Sequence, residues 1–188
     1  MADFNYICSV AEKIREKYAE ADPFKLCDEM GIITLFAPMG TAPAACKGFF
    51  LTQSRVKSIT VNSDLSEDFQ RIICAHELGH AMLHRDRSGV NAFHDFAFFD
   101  GVDRLEYEAN LFAAELLLPD DEVMKILNED ISFFQAAAKL YVPAELLDFK
   151  FRTLKWKGYK VIEPPTNARG DFLKKVYAQN LQVSVPKP

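Results

Sequence analysis

The chain has 188 residues, a formal net charge of −5, and 49% hydrophobic residues that include 16 phenylalanines. That is enough apolar material for one domain with its own core, or one domain with a small appendage. The acidic balance argues against non-specific nucleic-acid binding by the whole chain. No stretch approaches the roughly 18 consecutive apolar residues of a membrane span, and no basic segment followed by an apolar run opens the chain, so a cytoplasmic protein is expected. Cys8, Cys27, Cys46 and Cys74 are scattered, with no C-x-x-C pair. This disfavours a cysteine zinc site and leaves reduced thiols as the expectation.

Phe4, Ile7, Val10, Ala11, Ile14 and Tyr18 keep helical spacing, so residues 3–20 read as an amphipathic helix. Asp22-Pro23 opens a second short helix, with Asp22 as its cap, and Gly31 ends it. Residues 32–36 read as a strand, and Pro38, Gly40 and Pro43 make a loop. Residues 45–52 and 56–62 then form a hairpin around Gln53-Ser54-Arg55. Three strands in succession predict a small, mainly antiparallel sheet. Asp64 or Ser66 caps the long helix that follows.

That helix contains His76-Glu77-Leu78-Gly79-His80, an H-E-x-x-H pattern. Residues four apart on a helix lie one above the other. Two imidazoles so placed can hold one zinc ion, and the carboxylate between them can act on zinc-bound water. At about 100° per residue, Leu65, Phe69, Ile72, Ile73, His80 and Leu83 all fall within about 60° of His76. The histidines therefore project from the apolar stripe, where each needs a polar partner. Backbone carbonyls would serve a lone inward histidine; two at this spacing, flanking Glu77, favour a shared metal. Gly79 costs roughly 1 kcal/mol against alanine in a helix interior, and close packing beneath the site is a reason to keep it.

Residues 85–102 break the pattern with Phe93, His94, Phe96, Phe98 and Phe99, a loop pinned to the core or a wall beside the metal. His94 is a spare ligand candidate. A helix over 103–118 ends at Pro119. A catalytic zinc needs three protein ligands and an open position. Glu106 shares a face with Asn110, Ala113 and Leu117, whereas Glu108 and Glu115 point about 160–180° away, towards solvent. Glu106 is thus the inward carboxylate, its competing role being a capping box with Asp103. Asn110, one turn on, can hold a ligating histidine through its other ring nitrogen.

Residues 120–128 form a short helix. Residues 131–141 and 143–157 read as helix, turn, helix, with Lys150, Arg152, Lys155 and Lys157 on the second. This invites a DNA-binding reading; the plainer one is a helical hairpin covering the core, its lysines solvated. The tail from Glu163 reads as extended. The expected organisation is an α+β catalytic domain over 1–130, the hairpin packed on it over 131–160, and the extended tail over 161–188.

Three stretches together resemble the ImmA/IrrE family of bacterial zinc metallopeptidases. They are Ile59-Thr60-Val61-Asn62, Ala75-His76-Glu77-Leu78-Gly79-His80 through His84, and Glu106-x-x-Ala109-Asn110-x-Phe112-Ala113-Ala114-Glu115-Leu116-Leu117-Leu118-Pro119. The similarity covers at least residues 20–130. It implies a zincin-like α+β domain followed by a segment like a helix–turn–helix. It implies one Zn2+ on His76, His80 and Glu106, with Glu77 as the catalytic residue. It also implies cleavage of a protein substrate, a transcriptional repressor or regulator. The spacing from Glu106 to Asn110 resembles that of the gluzincins.

Tyr107 and His94 are candidate oxyanion donors, and an edge strand near 45–51 could receive an extended peptide by strand addition. Two rival readings remain: a regulatory protein- or DNA-binding module with a structural or vestigial zinc, and a metal hydrolase acting on a non-peptide substrate.

Overall fold

The computed structural model describes residues 3–42, 44–84, 102–162 and 164–175. Helix α1 (Phe4–Tyr18) is capped by Asp3, whose carboxylate accepts from the Tyr6 amide at 3.1 Å. It buries Ile7, Ala11 and Ile14, spaced four and three residues apart so that one stripe faces inward. Helix α2 (Pro23–Glu29) starts as its sequence predicts, with the Asp22 carboxylate accepting from the amides of Phe24 and Lys25. Strands β1 (Ile33–Ala37), β2 (Gly48–Gln53) and β3 (Val56–Asn62) follow.

The three-stranded sheet is mixed, in the order β1-β3-β2. Strands β2 and β3 form the expected antiparallel hairpin, closing on the pair Gln53 and Val56. Ser54 and Arg55 both take left-handed backbone, φ 51° and 68°, which a two-residue turn needs if its twist is to match the strands. Strand β1 runs parallel to β3, from Ile33 beside Ser58 to Ala37 beside Asn62. The chain therefore leaves β1 and enters β2 at the same end of the sheet, crossing over the end of β3.

Asn62 holds that crossing. Its Oδ1 accepts from the amides of Met39 (3.1 Å) and Asp64 (3.0 Å), and its Nδ2 donates to the carbonyls of Gly40 and Cys46, both at 2.8 Å. Two donors and two acceptor sites are all used, so the amide is buried without penalty. Residues 45–47, expected in the strand, belong to the crossing instead: the Ala45 amide bonds to the Ala42 carbonyl at 2.9 Å. The Asp64 carboxylate turns to the Gly40 amide at 2.7 Å, leaving Ser66 at the N-cap of α3.

Helix α3 (Glu67–Leu83) is buried on every side from Ile72 to Ala81. One side lies on β2, β3 and α2, the other on α4 (Val102–Leu117). The close packing expected at Gly79 is present. A Cβ there would come within 3.1 Å of Phe112 Cδ1 and 3.2 Å of both the Cα and the carbonyl oxygen of Ala109. Helix α4 is itself central, with α3 on one side and α1 and α7 (Ala144–Trp156) on the other. Helices α5 (Asp120–Leu127) and α6 (Phe133–Lys139) bridge to α7. A capping box between Ser132 and Gln135 starts α6.

Three of the four cations read on this segment, Lys150, Arg152 and Lys157, are turned inward rather than solvated, while Lys155 is exposed. Lys150 is fully buried, and its Nζ donates to Glu115 at 2.6 Å and Asp120 at 2.5 Å. Lys157 donates to the same two carboxylates, at 2.6 and 2.8 Å, and the Thr153 hydroxyl donates to Glu115. Glu115, expected towards solvent, is thereby in the core, because α7 covers that face of α4. Arg152 donates to Asp148 at 2.6 Å, to Asn167 at 3.0 Å and to the Ala168 carbonyl at 2.5 Å. Over residues 164–175 the stretch that composition marks as extended is docked. Ala168, Phe172 and Leu173 are buried, and it ends in α8 (Phe172–Lys175). The four cysteines are free thiols. No described helix is long and apolar enough to cross a membrane.

Candidate metal centre

His76 and His80 sit in the second half of α3, and Glu106 sits in the first half of α4. The close approach at Gly79 sets these two helices side by side. The Nε2 atoms of the two histidines are 3.1 Å apart. Glu106 places Oε2 3.4 Å from His76 Nε2 and Oε1 3.5 Å from His80 Nε2. One potential ligand atom from each residue lies within 4.8 Å of the others, and all three residues are buried.

Their neighbours determine which ring nitrogens carry protons. Asn110 Nδ2 donates to the Gly170 carbonyl at 2.6 Å, which turns Oδ1 towards His76 Nδ1 at 2.9 Å. An amide oxygen only accepts, so His76 donates from Nδ1, and Nε2 is the nitrogen turned towards Glu106. The Gly170 carbonyl is supplied by the docked tail, a contribution that composition does not announce. On the other histidine, His80 Nδ1 lies 3.0 Å from His84 Nδ1, and His84 Nε2 lies 3.2 Å from Glu108 Oε2. Arg104 Nε donates to the other oxygen of Glu108 at 2.8 Å. Glu108, expected towards solvent, is buried by this contact with the end of α3.

Burial depresses the proton affinity of His84, and the Glu108 carboxylate only partly restores it, leaving it below the ordinary imidazole value. For His76 burial acts in the same direction, but the Glu106 carboxylate outweighs it and the net shift is upward. The centre thus draws positive charge. Two imidazole nitrogens and one carboxylate, converging away from bulk water, suit a divalent ion such as zinc.

Glu77, next to His76, is buried where β2 passes the helix. A Cβ at Gly48 would lie 2.4 Å from Ile73 Cγ2 and 3.7 Å from Glu77 Cγ, so only glycine lets the strand run this close. Among the described residues, strand β2 pairs with β3 alone and is an edge of the sheet. Of the two oxyanion candidates, Tyr107 is engaged with α7. Its ring centroid is 5.3 Å from that of Phe149, and the Arg152 guanidinium lies 5.4 Å over it. His94 and the phenylalanines around it lie outside the described residues. Sequence reasoning misses His84, although His76, His80 and His84 recur every four residues, the spacing that stacks side chains on one helix face.

The family model for the IrrE N-terminal-like domain, peptidase M78, matches residues 27–152. The protein named "Uncharacterized immunity region protein 2" of Bacillus phage phi105 is 33% identical over 147 residues, which are 78% of this chain and 90% of that one. Metallopeptidase ImmA of Bacillus subtilis (strain 168) is 31% identical over 133 residues, 68% of this chain and 73% of that one. On these matches, and on the motif residues gathered at the centre, the chain belongs to the ImmA/IrrE family of metallopeptidases.

Proposed function

We propose that the protein is a zinc-dependent endopeptidase of the cytoplasm that hydrolyses peptide bonds in a transcriptional repressor or regulator. In this reading His76, His80 and Glu106 hold the ion, Asn110 orients His76, and Glu77 is the catalytic base. The observation that carries it is the convergence of three buried ligand atoms within 4.8 Å of one another, beside the buried Glu77. Zinc held there would polarise the scissile carbonyl and acidify a water molecule. Glu77 takes the proton of the attacking water and returns it to the leaving amine. The open edge of β2, drawn against Glu77 by Gly48, accepts the substrate as an added strand.

Residues 1–130 then form the catalytic unit, and 131–160 the helical hairpin that buttresses α4. The names of the relatives, an immunity-region protein and ImmA, support a repressor as substrate. Direct nucleic-acid binding is disfavoured, since Lys150, Arg152 and Lys157 direct their charge into the protein. The test is to incubate the zinc-loaded chain with repressors encoded beside it. Cleavage by the wild type and none by Glu77→Gln, which retains zinc, is the expected outcome. Normal cleavage by Glu77→Gln contradicts the role of that residue, and zinc-loaded wild type that cleaves no such repressor contradicts the substrate class.

A further inference from the structure

We propose that His84 and Glu108 form a two-step relay that fixes the tautomer of His80, making both positioning residues for metal binding; this rests on the zinc reading above. The relay begins at its far end, with Glu108. An ionised carboxylate has acceptors only, and Glu108 is held by Arg104 through its other oxygen. Its Oε2, 3.2 Å from His84 Nε2, therefore selects the His84 tautomer with the proton on Nε2. That tautomer carries a lone pair on Nδ1, 3.0 Å from His80 Nδ1. His80 must then donate from Nδ1, and its Nε2 is left as a lone pair facing His76 and Glu106. Reversing any step would place a proton on His80 Nε2, where the ion has to bind.

His84 is not a fourth ligand in this geometry. It contacts His80 on the ring nitrogen opposite the one that faces Glu106. Helix α4 thus grips the histidines of α3 twice within three residues: Glu106 on the side of the ion and Glu108 on the side away from it. His76 reaches the same tautomer in one step, through Asn110. Arg104, largely exposed, brings a cation to Glu108 and offsets the cost of burying its charge.

The test is zinc affinity by competition with a chromophoric chelator, read together with the visible spectrum of the cobalt-substituted protein and the melting temperature of the metal-free form. His84→Leu removes the acceptor and should weaken zinc by roughly 10–100-fold, the range for such supporting contacts. His84→Gln, whose amide oxygen can accept from His80, should restore affinity to within about threefold and return the cobalt spectrum to that of the wild type. Glu108→Leu leaves His84 free to adopt either tautomer and should weaken zinc by roughly tenfold.

A purely structural role for His84 predicts lower metal-free stability in His84→Leu and no rescue of the spectrum by glutamine. Should His84→Leu fail to fold, Glu108→Leu decides between the two by itself. Wild-type affinity and an unchanged cobalt spectrum in the leucine variants, with binding abolished in His80→Ala, would overturn the relay and leave the zinc site standing. A wild type that takes up no zinc would overturn both.

Discussion

Helix α4 buries Glu106, Glu108 and Glu115, and the partners of the first and the last differ in kind. Glu115, on the face towards α7, meets the ammonium groups of Lys150 and Lys157, with Asp120 completing a set of two carboxylates and two cations. Glu106, on the face towards α3, meets the Nε2 atoms of two imidazoles whose Nδ1 atoms are engaged elsewhere. The first cluster is neutralised by the chain itself. The second brings two imidazoles and a carboxylate together, and in the proposed reading a metal ion completes it. Burial of charge does not by itself mark a functional site; who supplies the countercharge does.

The largest effect expected from breaking this contrast is on the α3 side. Glu77→Gln should lower the cleavage rate by roughly 10²–10⁴-fold, the usual contribution of a general base, with zinc content unchanged by metal analysis. On the α7 side the loss should be of stability. Lys150→Met leaves Glu115 and Asp120 short of a buried cation and should destabilise by about 3–5 kcal/mol in denaturant titration, while still binding one zinc. A loss below about 1 kcal/mol, the worth of a surface ion pair, would contradict the closed-cluster description.

A smaller effect belongs to the seam between α3 and α4. The Cβ added by Gly79→Ala gains about 1 kcal/mol of helix propensity, but it meets the Ala109 backbone at 3.2 Å, and backbone cannot swing aside. The net expectation is destabilisation by about 1–2 kcal/mol together with weaker zinc binding, since the proposed ligands sit on both helices. Equal zinc affinity in that variant would show that the seam does not set the site.

The smallest effect is a pH dependence. Burial pushes the Asp120 carboxyl up, but Lys150 and Lys157 outweigh it and the net is below 3.8. Its contribution to stability is full above 3.8 and is lost as pH falls through the lowered value. Burial pulls Lys157 down, while Asp120 and Glu115 carry it above 10.5. Its contribution is full below 10.5 and is lost as pH rises through the raised value. Melting curves should therefore separate wild type from Asp120→Asn by a constant interval across the neutral range, and the two should converge in acid. A gap that persists in acid contradicts the pairing.

What the sequence shows and what it hides divide along the same helix. Features set by contacts one turn apart are legible: the Asp22 cap, the His76 and His80 pair, and Glu106 with Asn110 on one face. A helical wheel, however, assigns a single buried stripe, and α4 is packed on two sides. On such a wheel Glu108 and Glu115 fall on the solvent side. The missing information is in other segments: Lys150, Thr153 and Lys157 form a polar stripe on α7 at three- and four-residue spacing, the complement of Glu115. The parallel pairing of β1 is hidden for a similar reason, because it depends on Asn62 bonding to a loop more than 15 residues upstream. The docking of Gly170 on Asn110 joins residues 60 positions apart and has no local signature.

The metal centre is most directly tested by zinc stoichiometry of the purified protein after metal loading and desalting. One zinc per chain is expected in the wild type and in Lys150→Met, and none in His80→Ala or in Glu106→Ala. A wild type without zinc, or a Glu106→Ala variant that holds it as firmly as the wild type, would contradict the claim that the cluster between α3 and α4 is a metal site.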